Sequence, residues 1–104
     1  MGKPENKVES YLDKEVMKLG GFTRKWISPG HDGVEDRICF FDKGEIWFIE
    51  AKVTGDKPRP KQWREIMRQR VLGHNAGYIA GCHQVDSFIM SDNRIEWMRN
   101  QIMR

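Results

Sequence analysis

The chain has 104 residues, the length of one domain, and we expect residues 1–104 to fold as a single unit. Its 18 Lys and Arg against 15 Asp and Glu give a formal net charge of +3, which is mild. No apolar run approaches membrane-spanning length, and two cysteines are too few for a disulfide scaffold. Because the N-terminus is charged and has no signal peptide, we expect an intracellular protein, with Cys39 and Cys82 buried as thiols in strand-like runs.

The first third of the chain predicts a helix followed by a strand. Apolar residues at helical spacing predict a helix over residues 5–19: Val8, Leu12, Val16 and Leu19. Gly20-Gly21 ends that helix, and residues 22–27 are typical of a strand. Residues 28–33 are predicted to form a flexible loop, in which His31 is a candidate substrate contact.

Two strand-like runs, residues 36–41 and 45–52, flank a turn at 42–44 and predict a hairpin. Side chains alternate between the faces of a strand, so Glu50 and Lys52 should share one face. Pairing of the two runs would place Asp36 beside Glu50. Two carboxylates with a lysine suit a hard divalent cation, Mg²⁺ or Mn²⁺, and a phosphate. In the alternative interpretation, the strand simply leaves the core and its charges are solvated.

The second half of the chain predicts two further helices around a strand, and then a last helix. A helix should run from Pro60 to about Gly73, followed by a strand over 77–82 and a short helix over 85–90. Ser91, Asp92 or Asn93 could cap a final helix that ends at Arg104.

Positive charge is concentrated between residues 57 and 70. The residues of this segment that we expect to bind DNA are Lys57, Arg59, Lys61, Arg64 and Arg68, with Arg70 as a further cation. Glu65 is the one acidic residue of the segment. The alternative interpretation is an ordinary solvated helix face.

The order Gly33, Asp36, Glu50, Lys52 and Gln62 resembles a VRR-NUC domain, a branch of the PD-(D/E)XK nuclease superfamily. The resemblance covers roughly residues 5 to 90. One departure is Glu35, where the family commonly has proline, so that a second carboxylate stands beside Asp36.

The resemblance implies an α/β fold with a restriction-endonuclease-like αβββαβ core, in which helices flank a mixed sheet. It implies the following catalytic residues: Asp36, Glu50, Lys52, Gln62 and Glu9. The implied metal ligands are Asp36, Glu50, Ala51 and Glu9. Glu5 and Glu15 compete with Glu9 for its role, and Gln62 could instead be a surface residue of a first helical turn.

The expected activity is a metal-dependent DNA endonuclease that cuts branched DNA, like junction-resolving enzymes, in the host cytoplasm if a phage encodes it. The alternatives are a non-catalytic DNA-binding module, or an accessory subunit of a phage replication or packaging complex. We expect a homodimer, formed through an apolar stripe on the final helix: Ile95, Met98 and Ile102, with Trp97 beside it. That stripe could instead cover the chain's own sheet, which would favour the monomer.

Overall fold

A computed structural model describes residues 4–101 of the chain. Its elements are α1 (Pro4–Lys18), β1 (Phe22–Lys25), β2 (Arg37–Phe40), a 3₁₀ turn (Asp42–Gly44), β3 (Ile46–Lys52), α2 (Pro60–Val71), β4 (Ala76–Ala80), α3 (Cys82–Ile89) and α4 (Arg94–Arg99). None of the helices within residues 4–101 combines the length and the apolar character that crossing a bilayer requires.

The four strands form one mixed sheet in the order β1-β2-β3-β4. The pairs β1–β2 and β2–β3 are antiparallel, whereas β3 and β4 are parallel and are joined by the crossover helix α2. The predicted hairpin of β2 and β3 is confirmed, with Arg37 opposite Ile49. The predicted fold class, an α/β sheet flanked by helices, is also confirmed.

The side chains of β3 alternate between the two faces of the sheet, and each face packs against its own layer of helices. Ile49 and Ala51 point to the face that carries α1, α3 and α4, and they belong to the main core. Phe48, on the opposite face, packs against Trp63 and Ile66 of α2. The residues of the main core are Val8, Leu12, Val16, Cys39, Trp47, Ile49, Ala51, Ile79, Val85, Phe88 and Met98. Glu50 and Lys52 share the parity of Phe48 and therefore lie on the α2 face, at the end of β3.

The predicted strand over 77–82 ends earlier than expected, which makes the prediction for Cys82 wrong. Gly81 has φ +87 and comes directly before α3, so the chain leaves the sheet there and Cys82 begins a helix. Cys82 is exposed, whereas Cys39 is buried as predicted.

The apolar stripe of the final helix is turned inward. Met98 is buried in the main core, and Ile95 and Trp97 pack against it. Met98 therefore covers the chain's own sheet, as in the alternative interpretation, whereas Ile95 and Trp97 are only partly buried and the homodimer stays a prediction. Ile102 lies outside the described residues. The Asn93 side chain caps α4 by accepting a hydrogen bond from the Glu96 backbone N–H, at 3.2 Å.

Candidate active site

The hairpin brings Asp36 and Glu50 together. Because Arg37, the first residue of β2, pairs with Ile49, Asp36 lies one residue before β2 and faces the end of β3. The backbone N–H of Ala51 donates a hydrogen bond to Asp36 Oδ2 at 3.2 Å, which fixes the carboxylate there. The local sequence permits this approach, since Gly33 has φ +92 and a Cβ at Gly33 would lie 2.7 Å from the Lys61 carbonyl oxygen.

Glu50 is a buried acid in an unfavourable environment. Glu50 is only 3% exposed, and its Oε1 has no hydrogen-bond partner among residues 4–101. Burial is the largest cause that raises the pKa of Glu50, to about 9, followed by the charge of Asp36 and a hydrogen bond to it. Lys52 acts in the opposite direction, with its Nζ 3.9 Å from Glu50 Oε2.

Glu9 of α1 reaches the same place from the other side of the sheet end. It is buried and lines the cavity that contains Asp36 and Glu50. Arg37 Nη1 lies 3.8 Å from Glu9 Oε1. Burial is the main cause that raises the pKa of Glu9, and the Arg37 charge opposes it. Of the two competing acids, Glu5 lines this cavity, whereas Glu15 lies outside it and pairs with Lys18 at 2.8 Å.

Gln62 is buried at the start of α2 and also lines the cavity. Its Oε1 accepts a hydrogen bond from the Arg59 backbone N–H at 2.8 Å, so the side chain holds the first turn of α2 in place. The alternative of an exposed surface glutamine is therefore wrong. Pro60, the first residue of α2, suits a helix start as expected.

The cavity, called the acidic cavity below, has a volume of about 790 Å³ at the end of β3, between the starts of α1 and α2. All five predicted catalytic residues line it, together with Ala51. Two of the predicted DNA-binding cations, Lys57 and Arg59, also line it, and so does Lys25, at the end of β1. Sequence reasoning missed Lys25, although its basic neighbourhood in β1 was visible.

The other cations of the basic segment lie elsewhere. Arg64 and Arg68 are exposed on α2, outside the acidic cavity. Lys61 is exposed, and its Nζ lies 3.5 Å from Asp32 Oδ2. Arg70 has a structural role, because its guanidinium donates to the carbonyl oxygens of Ala76 and Gln101, at 2.8 and 2.7 Å.

Glu35 and His31 do not line the acidic cavity. Glu35 is fully buried and accepts a hydrogen bond from Gln69 Nε2 of α2 at 2.9 Å. Burial is the main cause that raises its pKa to about 7. The carboxylate beside Glu50 is therefore that of Asp36. His31 is exposed in its loop, with Nδ1 3.4 Å from the Pro29 carbonyl oxygen.

The acids of the cavity fit a hard divalent cation that retains water. Within residues 4–101, no three acidic, histidine or cysteine side chains are grouped closely enough to form a complete metal cage. Mg²⁺ does not require one, since it commonly binds through one or two carboxylates and keeps several waters. The unpartnered Oε1 of Glu50 and the charge repulsion between Glu50 and Asp36 are what such a cation would relieve.

Comparison with known proteins agrees with this geometry. No family model matches the chain. The "Putative nuclease p44" of Acyrthosiphon pisum secondary endosymbiont phage 1 is 46% identical over 70 residues, which are 67% of this chain and 75% of that protein. A solved structure described as a VRR_NUC domain superposes with a TM-score of 0.82 at 33% identity, and the match covers 88% of this chain and 100% of that one. The chain therefore belongs to the VRR-NUC family of nucleases.

Proposed function

We propose that this nuclease hydrolyses DNA phosphodiester bonds with the help of a divalent cation, Mg²⁺ or Mn²⁺, in the acidic cavity. The observation that carries the proposal is the pair formed by the half-buried Asp36 and the buried Glu50. The two acids lie side by side, and the pKa of Glu50 is raised chiefly by burial and then by the charge of Asp36. A protein that used this pair only for stability would gain more from apolar residues at the same positions.

Each residue of the cavity has a distinct role in this proposal. Asp36 and Glu50 would hold the cation, with the Ala51 carbonyl and Glu9 as further oxygen donors. The cation would supply positive charge at the phosphate and lower the pKa of the attacking water. Lys52 is placed to donate hydrogen bonds to a phosphate oxygen on which negative charge develops. Gln62 is a positioning residue, because it holds the start of α2 against the cavity.

Positive charge around the cavity would bind the DNA backbone. Lys25, Lys57 and Arg59 lie at the cavity itself and would contact the phosphates next to the cleaved bond. Arg64 and Arg68 are exposed four residues apart on α2, so they share one face and extend this surface. Contacts of this kind attract all DNA sequences alike and are weakened by salt.

We propose that the substrate is branched DNA and that the enzyme acts on it as a homodimer. A two-fold symmetric junction needs two active sites, which a symmetric dimer supplies. Since the stripe of α4 is turned inward, we place the interface at the exposed apolar side chains near the end of α2, which are Met67, Val71 and Leu72.

The dimer is tested by light scattering on the natural chain and on Val71→Glu. We expect a dimeric mass that Val71→Glu converts to a monomeric one, while Met90→Glu, a control at an equally exposed residue, leaves it unchanged. A monomeric mass for the natural chain at micromolar concentration would remove the dimer. A Val71→Glu protein that stays dimeric would move the interface away from α2.

The activity is tested with labelled flap, fork, four-way-junction and linear DNAs, each with Mg²⁺, with Mn²⁺ and with EDTA. We expect metal-dependent cleavage that is faster on branched DNA than on linear DNA. Equal cleavage of all four DNAs would refute the selectivity for branched DNA but not the nuclease activity. Binding of DNA without cleavage under any condition would instead indicate the non-catalytic module, or an accessory subunit of a phage complex.

A further inference from the structure

A second cavity lies along the outer edge of β4, between α2 on one face of the sheet and α3 and α4 on the other. This edge groove has a volume of about 700 Å³, within the range of about 300–1,000 Å³ that is usual for small-molecule sites. Three aromatic side chains line it: Trp63 of α2, Tyr78 of β4 and Trp97 of α4. Of the residues that line the groove, Lys57 is the one that also has a part in the proposed function.

The edge groove continues directly from the acidic cavity. Tyr78 is the pairing partner of Glu50 in the parallel ladder of β3 and β4, so the two side chains stand on neighbouring strands, about 5 Å apart. Lys57 lines both cavities. In the segment that separates them, Arg59 lines the acidic cavity, whereas Pro58 lines the groove.

The chemistry of the groove favours a nucleic-acid strand over a protein strand. Lys57 brings positive charge to its rim, and none of the groove-lining residues within 4–101 is acidic. A peptide could bind by adding a strand to β4, but the Gln101 side chain already occupies that edge. Its Oε1 accepts from the Tyr78 backbone N–H at 3.1 Å, and its Nε2 donates to the Tyr78 carbonyl oxygen at 2.5 Å.

We infer that the edge groove binds unpaired bases of the DNA strand next to the cleaved phosphate. Tyr78 and Trp97 are half-buried, so part of each ring borders the groove while the rest is held by the protein. Rings held in this way are suitable for stacking, because they lose little conformational freedom when a base binds. This inference rests on the proposed function and refines it, since it assigns the single-stranded arm of a branched substrate to a defined place.

Binding is tested without cleavage, in EDTA, by fluorescence anisotropy of a labelled oligothymidylate and of a blunt duplex. The variants are Tyr78→Leu, which removes the ring but keeps apolar bulk, and His83→Glu, which places a negative charge at an exposed position on the rim without touching the core. Phe22→Leu, at the opposite edge of the sheet, is the control for the first, and His74→Glu, another exposed histidine, is the control for the second.

We expect Tyr78→Leu to weaken oligothymidylate binding about tenfold, as the loss of one stacked base does, and His83→Glu to weaken it through repulsion of the strand's phosphates, while both leave duplex binding within about twofold. The controls should change neither. Equal losses for both DNAs, or unchanged binding of oligothymidylate, would overturn the inference. Two further outcomes separate this inference from the proposed activity. Groove variants that bind and cleave forked DNA like the natural chain would refute the role of the groove but not the nuclease activity. A natural chain that binds oligothymidylate through the groove but cleaves no DNA would refute the nuclease activity but not the role of the groove.

Discussion

Glu50 should destabilise the protein when no metal is bound, so we predict that Glu50→Gln makes the metal-free fold more stable. The pKa of Glu50 is raised from an ordinary value of 4.5 to about 9, so the folded protein keeps a proton at pH 7 that the unfolded chain releases. Each pH unit between 4.5 and 7 lowers the free energy of unfolding by about 1.4 kcal/mol. The penalty at pH 7 is therefore at most about 3.5 kcal/mol, and glutamine, which has no proton to release, would remove it.

The measurement is urea unfolding in EDTA at several pH values between 5 and 8. The natural chain should lose stability relative to Glu50→Gln as the pH rises from the pKa of Glu50 in the unfolded chain, 4.5, towards its pKa in the folded protein, about 9. The reason is that the folded state binds the proton of Glu50 more tightly than the unfolded state does. Glu96→Gln, at an exposed glutamate of α4, is the control and should stay within about 0.5 kcal/mol of the natural chain. A Glu50→Gln protein that is less stable than the natural chain, or a difference that does not vary with pH, would refute the account of Glu50.

Three further predictions concern activity and DNA binding. Asp36→Asn should abolish cleavage while circular dichroism shows an intact fold, because it removes one of the two carboxylates that would chiefly hold the cation; a folded variant with full activity would exclude Asp36 from the site. Lys52→Ala should lower the single-turnover rate about 10²- to 10³-fold but weaken DNA binding far less, since other cations share the phosphate contacts; equal losses in both would make Lys52 only an anchor. Reversal of Arg64 and Arg68 to Glu should flatten the salt dependence of binding for all DNAs, whereas Arg99→Glu on α4 should not, and an unchanged slope in the double variant would move the DNA surface away from α2.

Local patterns were enough to predict that Asp36 and Glu50 lie side by side. The period of two along β3 and the short turn before it fixed the register that sets Asp36 beside Glu50. The apolar stripe of α1 placed Glu9 at its edge, and the structure buries Glu9 in the acidic cavity. Asp36 and Glu50 lie on the hairpin and Glu9 lies on α1, and hairpins and amphipathic helices are the elements that periodicity predicts best.

Features that depend on long-range packing could not be predicted. Arg70 resembled any other cation of its segment, but its guanidinium donates a hydrogen bond to the carbonyl oxygen of Gln101, which follows α4. Gln101 in turn covers the edge of β4 with side-chain hydrogen bonds that no local pattern signals. The stripe of α4 was visible in the sequence, but whether Met98 faces a partner or the chain's own core depends on how much of the sheet the other helices leave uncovered.

The central claim is that Asp36 and Glu50 together hold a divalent cation, and direct binding of Mn²⁺ tests it. Calorimetric titration in buffers of different ionisation enthalpy measures both the affinity and the protons released. We predict that the natural chain binds Mn²⁺ with release of a proton near pH 7, because the cation displaces the one held by Glu50. Asp36→Asn and Glu50→Gln should lose this binding, and Glu96→Gln should keep it. Mn²⁺ binding of undiminished affinity in the folded Asp36→Asn and Glu50→Gln proteins would contradict the claim.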